Sequence, residues 1–136
     1  MARSLIRNRL RITDNNKRTV CGIVRTAAKA SFDPTSSTQV ELFTLPAGVI
    51  PLGIQSLGGA TGGTNPTVIV GTAADDNGFA TALDADTVTL TYATGALTGI
   101  ELTVDTIVYG KVGTSAATGG TTTLVFDYIW ADDGTV

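Results

Sequence analysis

Histidine is absent from the 136 residues, and cysteine occurs once, as Cys21. Because histidine is the commonest general base and metal ligand, its absence excludes Ser-His-Asp and Cys-His catalysis and histidine-ligated metal sites. A single cysteine cannot form a disulfide bond within the chain, so the fold does not depend on an oxidising compartment and can assemble in a reducing cytoplasm. We interpret Cys21 as a small buried apolar side chain rather than a reactive thiol.

Long apolar runs and aromatic residues are also scarce. No run approaches the roughly 20 apolar residues that span a bilayer, so no membrane partner is predicted. Paired carboxylates that hydrolyse glycosides need a cleft with bulky aromatic residues, and the sequence has one tryptophan. The candidate carboxylates for such a pair are Asp75, Asp76, Asp84, Asp86, Glu101 and Asp105. We therefore predict that the protein is not an enzyme and needs no cofactor or metal.

Glycine, threonine and alanine are abundant instead, a mixture that favours strands joined by turns. No helical periodicity of ten residues or more occurs after residue 30, although 76–86 has room for one helical turn. The predicted strands are 18–27, 38–45, 49–57, 67–73, 87–95, 98–112 (one long or two short) and 121–130. Turn signals about every ten residues predict an all-β, antiparallel β-sandwich, with an eight-stranded jelly roll as the preferred arrangement.

Three of these strands carry more specific expectations. Pro51 belongs at a sheet edge or a β-bulge, because proline cannot donate to a strand ladder. In 87–95 the residues Val88, Leu90 and Tyr92 share one face, with threonines on the other. In 121–130 the shared face is longer and consists of Leu124, Phe126, Tyr128 and Trp130. The glycine-rich segment 58–66 is predicted to be a flexible loop.

The Asp75-Asp76-Asn77-Gly78 sequence has two interpretations. An EF-hand loop needs alternating oxygen ligands and a glutamate at its twelfth position, but here the aspartates are adjacent and the twelfth residue is Asp86. Asp, Asn and Gly tolerate the backbone angles of turns. We predict a surface turn, with a weak calcium site as the alternative.

Charge is divided unevenly along the chain, although the net charge is only −3. Eight of the nine basic residues lie in the first 30 positions. From residue 31 onward the chain has one basic residue, Lys111, and eleven acidic residues. We therefore divide the chain into an extended basic N-terminal arm, residues 1–30, which leads into the first strand, and a β-sandwich body, residues 31–136. Such asymmetry suggests a charged partner.

In residues 5–13, LIRNRLRIT, arginines alternate with apolar residues, which suits a strand with one cationic face; a short helix is the alternative. Three roles stay open for the arm: docking on an acidic protein surface by strand addition, phosphate binding to nucleic acid, and a disordered tail. Docking is favoured and nucleic acid disfavoured, because the first 30 residues have no aromatic side chain for base stacking. The predicted partner-binding residues are Arg3, Ile6, Arg7, Arg9, Leu10, Arg11, Ile12, Lys17 and Arg18.

Three segments, VELFTLPAGVIPLGIQSL, TNPTVIVGTAADDNGFAT and TTTLVFDYIW, resemble small β-sandwich virion proteins of tailed bacteriophages, including capsid decoration proteins, head fibres and tail-associated sandwiches. The resemblance covers roughly residues 38–130. It implies a structural protein that assembles symmetrically, often as a trimer, and it transfers no catalytic residue. The arm lies outside it.

The preferred function is a capsid decoration or cement protein on the capsid surface of the virion. Its expected partners are the major capsid protein and other copies of itself, with the arm reaching one or the other. The alternatives are a head-fibre or tail-associated host-recognition module that binds glycans through loops 58–66 and 113–120, and a tail or neck structural component.

Overall fold

The computed structural model describes residues 9–13, 19–23, 26–35 and 37–131. The regular secondary structure in these ranges consists of β-strands without helices, and every strand pair is antiparallel. This confirms the predicted all-β class. The strands are β1 (Arg9–Thr13), β2 (Thr19–Ile23), β3 (Thr26–Phe32), β4 (Val40–Leu45), β5 (Val49–Leu57), β6 (Ala60–Thr61), β7 (Thr67–Gly71), β8 (Ala80–Asp84), β9 (Thr91–Ala93), β10 (Thr106–Val112), β11 (Gly119–Gly120) and β12 (Thr122–Trp130). In this part of the chain there is no helix able to cross a membrane.

Eight strands form two four-stranded sheets that pack as a sandwich. Sheet I has the order β4-β10-β7-β8, and sheet II has the order β3-β12-β5-β9. Phe43 of sheet I and Phe126 of sheet II meet edge to face, with ring centroids 5.5 Å apart, so the two sheets share one core. Numbered one to eight along the chain, the strands read 2-7-4-5 in sheet I and 1-8-3-6 in sheet II. This order is consistent with a jelly roll, which stays our interpretation.

The core contains the inward side chains of both sheets. Val68 and Val70 of β7 and Leu124 and Phe126 of β12 alternate with less buried neighbours, as strands with one buried face require. Phe79, just before β8, completes the aromatic centre, with its ring 5.0 Å from that of Phe126. These contacts fix the separation of the two sheets and make the outer faces a stable surface.

The predicted positions of Pro51 and of the last strand are confirmed. Asp127 and Tyr128 pair with Gly53 and Pro51, so Leu52 has no partner in β12 and Pro51 lies at a β-bulge. A bulge removes the need for the ladder hydrogen bond that proline cannot make. On β12 the predicted inner face is buried at Leu124, Phe126 and Trp130, and half-buried at Tyr128.

Several predicted strand boundaries are wrong. The segment 18–27 divides into β2 and the start of β3, and β3 pairs with β12 up to Phe32, so its ladder extends across residue 30. The division into an arm and a body at that residue stays a prediction. Residues 98–105 form no strand, and the possible helical turn in 76–86 is instead a turn followed by β8. Loop 58–66 contains β6, which pairs with β11.

The predicted strand 87–95 is reduced to β9. It pairs with residues 54–56 of β5 at the edge of sheet II, and β5 ends one residue further on, at Leu57, so residues 87–89 lie beyond the end of their partner strand. Val88, Leu90 and Tyr92 are exposed, and their alternation with threonine does not produce a buried face. An edge strand of this length is typical of sandwiches that avoid open edges.

Candidate functional site

The turn at residues 75–78 is a packed corner of sheet I. The backbone N–H groups of Thr72 and Gly78 donate to the carbonyl oxygen of Asp75, at 2.7 and 3.2 Å, and the Asp75 N–H donates to the Thr72 hydroxyl at 3.1 Å. A Cβ atom at Gly71 would clash with the backbone of Asp75, so only glycine allows this close approach. The predicted turn is confirmed. Within the ranges that the structure describes, no group of three Asp, Glu, His or Cys residues is placed to hold a metal ion.

A lysine on β10 holds this turn against sheet I. Lys111 Nζ lies 3.0 Å from Asp76 Oδ2, and both side chains are partly exposed. A surface pair of this kind contributes at most about 1 kcal/mol. The pair matters mainly for the surface charge. Because Lys111 pairs with Asp76, it does not neutralise the other carboxylates nearby.

Next to the turn, sheet I has a shallow groove of about 410 Å³, lined by residues 72–74, 104–107 and Tyr109. We call it the sheet I groove. Its apolar contacts come from Ala73, Ala74, Val104 and Ile107. Ile107 follows β-strand alternation: Val108 is fully buried in the core, so Ile107 points outward and is 39% exposed. Val104 is 65% exposed, in the loop that precedes β10.

Two carboxylates border the sheet I groove. Asp105 is part of its lining and accepts a hydrogen bond from the Ala47 N–H at 2.9 Å. Glu41 of β4 is opposite the lining residue Tyr109 in the strand register, whereas the carboxylate of Asp75 lies beside Gly78. The groove is therefore an apolar strip with carboxylates at its border. This arrangement suits a ligand that combines cations with apolar side chains.

A second structured surface lies at the loops predicted to bind glycans. β6 and β11 join loops 58–66 and 113–120, and the Thr64 N–H donates to Ser115 Oγ at 3.1 Å. The carbonyl oxygen of Ala85 accepts bonds from the N–H groups of Gly59 and Ala60 and from the buried Thr122 hydroxyl. These loops are therefore brought together and are fixed to the end of β8.

Asp84 organises the chain at that point. Its Oδ1 accepts the N–H groups of Asp86 and Thr87 at 3.1 and 3.0 Å, and its Oδ2 accepts the Thr87 hydroxyl. The Thr87 side-chain hydrogen bond is the largest cause of a lowered pKa at Asp84. The neighbouring Asp84 carboxylate raises the pKa of Asp86. The two carboxyls therefore differ in role: Asp84 is a structural acceptor, and Asp86 is an exposed neighbour.

Replacing Asp84 tests this role. We expect Asp84→Ala to lower the free energy of unfolding by about 1 kcal/mol at pH 7, because exposure to solvent weakens the lost hydrogen bonds. A lowered carboxyl pKa contributes stability above the pKa of the unfolded aspartate, about 3.9, and loses it as pH falls through the folded value. The free energies of unfolding of Asp84→Ala and of the wild-type protein, measured in urea, should therefore differ less at pH 3 than at pH 7. Asp86→Asn, the control, should be neutral or slightly stabilising.

The structure places only part of the predicted arm site. Arg9, Leu10, Arg11 and Ile12 lie on β1, whose backbone pairs with β2 in a separate two-stranded sheet. The predicted sites Arg3, Ile6, Arg7, Lys17 and Arg18 lie outside the described residues. Partner binding by all nine residues stays a prediction.

Sequence reasoning does not find the sheet I groove. Its residues belong to segments that the sequence predicts to be a turn and a strand. The available signal is Ile107, an apolar residue on the opposite strand face from Val104 and Val108.

Solved structures with a similar fold come from phage capsids. "Cyanophage Pam1 capsid asymmetric unit" contains a chain with 25% identity and a TM-score of 0.58, and the match covers 78% of this chain and 84% of that one. The chain shares its fold with phage capsid chains. A chain of "Acidic stable capsid structure of Helicobacter pylori bacteriophage KHP30" is 17% identical, with a TM-score of 0.60 over 90% of this chain and 94% of that one.

A third similar chain occurs in "Capsid of Ralstonia phage GP4", with 21% identity, a TM-score of 0.54 and coverage of 79% of this chain and 84% of that one. No protein-family model and no curated protein sequence matches the chain. The likeness is therefore one of fold, extends over most of each capsid chain and is supported by modest sequence identity in one case.

Proposed function

We propose that the chain is a structural protein of a tailed-bacteriophage virion, and specifically a capsid decoration or cement protein. The observation that carries the proposal is the agreement in fold with chains of three phage capsids over 84–94% of their length. The protein would act by adding interface area between subunits of the head. It would not act by chemistry, and it would occupy the outer capsid surface.

The charge distribution supports a role in assembly. A basic arm and an acidic body on the same chain favour contacts with neighbouring subunits, in which the arm reaches the major capsid protein or another copy. On a capsid lattice, many weak contacts act together because each bound copy raises the effective concentration of the next contact. Modest arm contacts are therefore sufficient for stable decoration. We favour a homotrimer as the unit that binds.

The second candidate is a glycan-binding head fibre or tail module. It is supported by the hydrogen bonds that bring loops 58–66 and 113–120 together at one end of the body. Neither loop contains an aromatic residue, which glycan-binding sites commonly use. Binding of the purified protein to a glycan array would support this candidate over decoration.

An electron-microscopy map of the intact particle tests the proposal. A decoration protein should be found on the outside of the head in dozens to hundreds of copies, in contact with the major capsid protein. A map that places a few copies at the tail or neck would overturn the decoration role and favour the tail component. Density for the body inside the shell would contradict the surface location.

A further inference from the structure

The sheet I groove offers a surface whose chemistry matches one segment of the same chain. Its floor is apolar, at Ala73, Ala74, Val104 and Ile107. Its border carries Asp105 within the lining and Glu41, which is opposite the lining residue Tyr109 in the strand register. A solvent-exposed strip of this type is stabilised when it is covered by apolar side chains that are accompanied by cations.

Residues 5–13 have that composition. In LIRNRLRIT the cations Arg7, Arg9 and Arg11 are interleaved with Ile6, Leu10 and Ile12. The body has one basic residue, Lys111, and it pairs with Asp76. The charge that complements the groove therefore lies in the arm.

The start of the body favours an arm from a different copy. β2 ends at Ile23 and β3 begins at Thr26, so the connection spans only about 10 Å when fully extended. β3 belongs to sheet II, whereas the groove is on the outer face of sheet I, across a sandwich whose sheets are about 10 Å apart. A hairpin attached so closely to sheet II is better placed to reach outward to a neighbour than to cover the far face of its own body.

We propose that the sheet I groove is the docking site for residues 5–13 of a second copy of this chain. This inference rests on the proposed function and adds to it, because it names the surface that the arm binds. It can be tested with purified protein in the absence of capsids. The contact is heterologous, since arm and groove are different surfaces. When the rotation between successive copies closes, such a contact forms a ring, which is the geometry that a homotrimer requires; a rotation that does not close gives an open filament.

The test uses two variants that disable opposite sides of the contact. Ile107→Lys keeps the arm and places a cation in the groove, whereas deletion of residues 1–18 keeps the groove and removes the arm. Sedimentation velocity at several protein concentrations should show an oligomer for the wild-type chain and monomers for each variant. Mixing the two variants should restore a one-to-one complex, because one supplies the arm and the other the groove.

Controls separate this contact from general effects. Leu57→Lys introduces the same charge at an apolar residue of sheet II with similar exposure, 42% against 39% for Ile107, and should leave the oligomer intact. Val104→Lys, in a loop, should repeat the effect of Ile107→Lys if the latter fails to fold. Raising the salt concentration from 0.05 to 0.5 M should weaken association roughly tenfold or more, because screened charges contribute less.

Three outcomes would overturn the inference. The first is a monomeric wild-type chain. The second is a mixture of the two variants that stays monomeric while the wild type is oligomeric, which would place the arm on its own body or elsewhere. The third is dissociation by Leu57→Lys to the same extent as by Ile107→Lys. None of these results bears on whether the chain is found on the capsid surface, so a failure here is distinct from a failure of the decoration role.

Discussion

A chain that lacks residues 1–18 is expected to fold normally and to lose its ability to sediment with phage capsids. All eight strands of sheets I and II lie between Thr26 and Trp130, so the deletion removes no strand of the sandwich. It does remove six of the nine basic residues and the apolar residues interleaved with them. Because decoration depends on many copies acting together, loss of the arm contact is multiplied over the lattice.

The measurement is co-sedimentation of purified protein with capsids that have been stripped of it, or assembled without it. A full-length chain with Arg7, Arg9 and Arg11 all changed to Gln should bind about tenfold more weakly, since three charge contacts are lost. Lys29→Gln is the matched control at a basic residue of β3, outside the deleted segment, and should bind normally. The urea midpoint of the deleted chain should equal that of the full-length protein, and its circular dichroism should differ only by the loss of the β1-β2 pairing.

Retained binding of the deleted chain would contradict the arm's role and would assign capsid attachment to the body. Loss of both folding and binding would show that the arm is part of the sandwich. If the deleted chain loses capsid binding but the triple glutamine variant binds as tightly as the wild type, then the apolar residues Ile6, Leu10 and Ile12 provide the contact and the charges do not.

The sequence predicts those strands whose side chains form the core. In 49–57 and 121–130 the periodic pattern coincides with burial, since Ile54 and Phe126 face the shared interior, and the predicted bounds differ from β5 and β12 by no more than one residue. Proline at the bulge is also predictable, because its missing donor restricts it locally. These strands and the bulge are predictable because each is determined by residues close together in the sequence and by a single buried face.

The sequence fails where alternation is not accompanied by burial. The pattern TVTLTYA in 87–93 is as regular as that of β12, yet Val88 is 92% exposed and Leu90 is 52% exposed. β9 is short because its partner β5 ends at Leu57, one residue beyond the partner of Thr91, and pairing across the chain is not visible in a local pattern. The same explanation applies to 98–105, which precedes β10 without joining a sheet.

The candidate groove could not be predicted for a related reason. Its lining combines the three residues after β7 with the loop before β10 and β10 itself, which lie about 30 residues further along the sequence. Only the pairing of β10 with β7 makes them neighbours. The charge division is visible in the sequence, but the surface that complements the arm is a product of the sheet topology.

Phe126→Ala is expected to destabilise the sandwich severely. The Phe126 ring is 1% exposed and makes edge-to-face contacts with Phe43 of the opposite sheet and with Phe79, at centroid distances of 5.5 and 5.0 Å. Truncation removes both contacts and leaves a cavity between the sheets. We expect a loss of about 3–5 kcal/mol in the free energy of unfolding.

Urea unfolding of the purified chain measures this loss as a shift in the midpoint at an unchanged slope. Phe126→Leu should cost less than half as much, because leucine fills most of the cavity, and Val88→Ala should change the value by no more than about 0.5 kcal/mol. A loss of about 3–5 kcal/mol is a large part of the roughly 5–15 kcal/mol typical of a domain. Equal effects of Phe126→Ala and Val88→Ala would mean that the three rings do not hold sheets I and II together, and the outer face that carries the groove would then lose its rigid support.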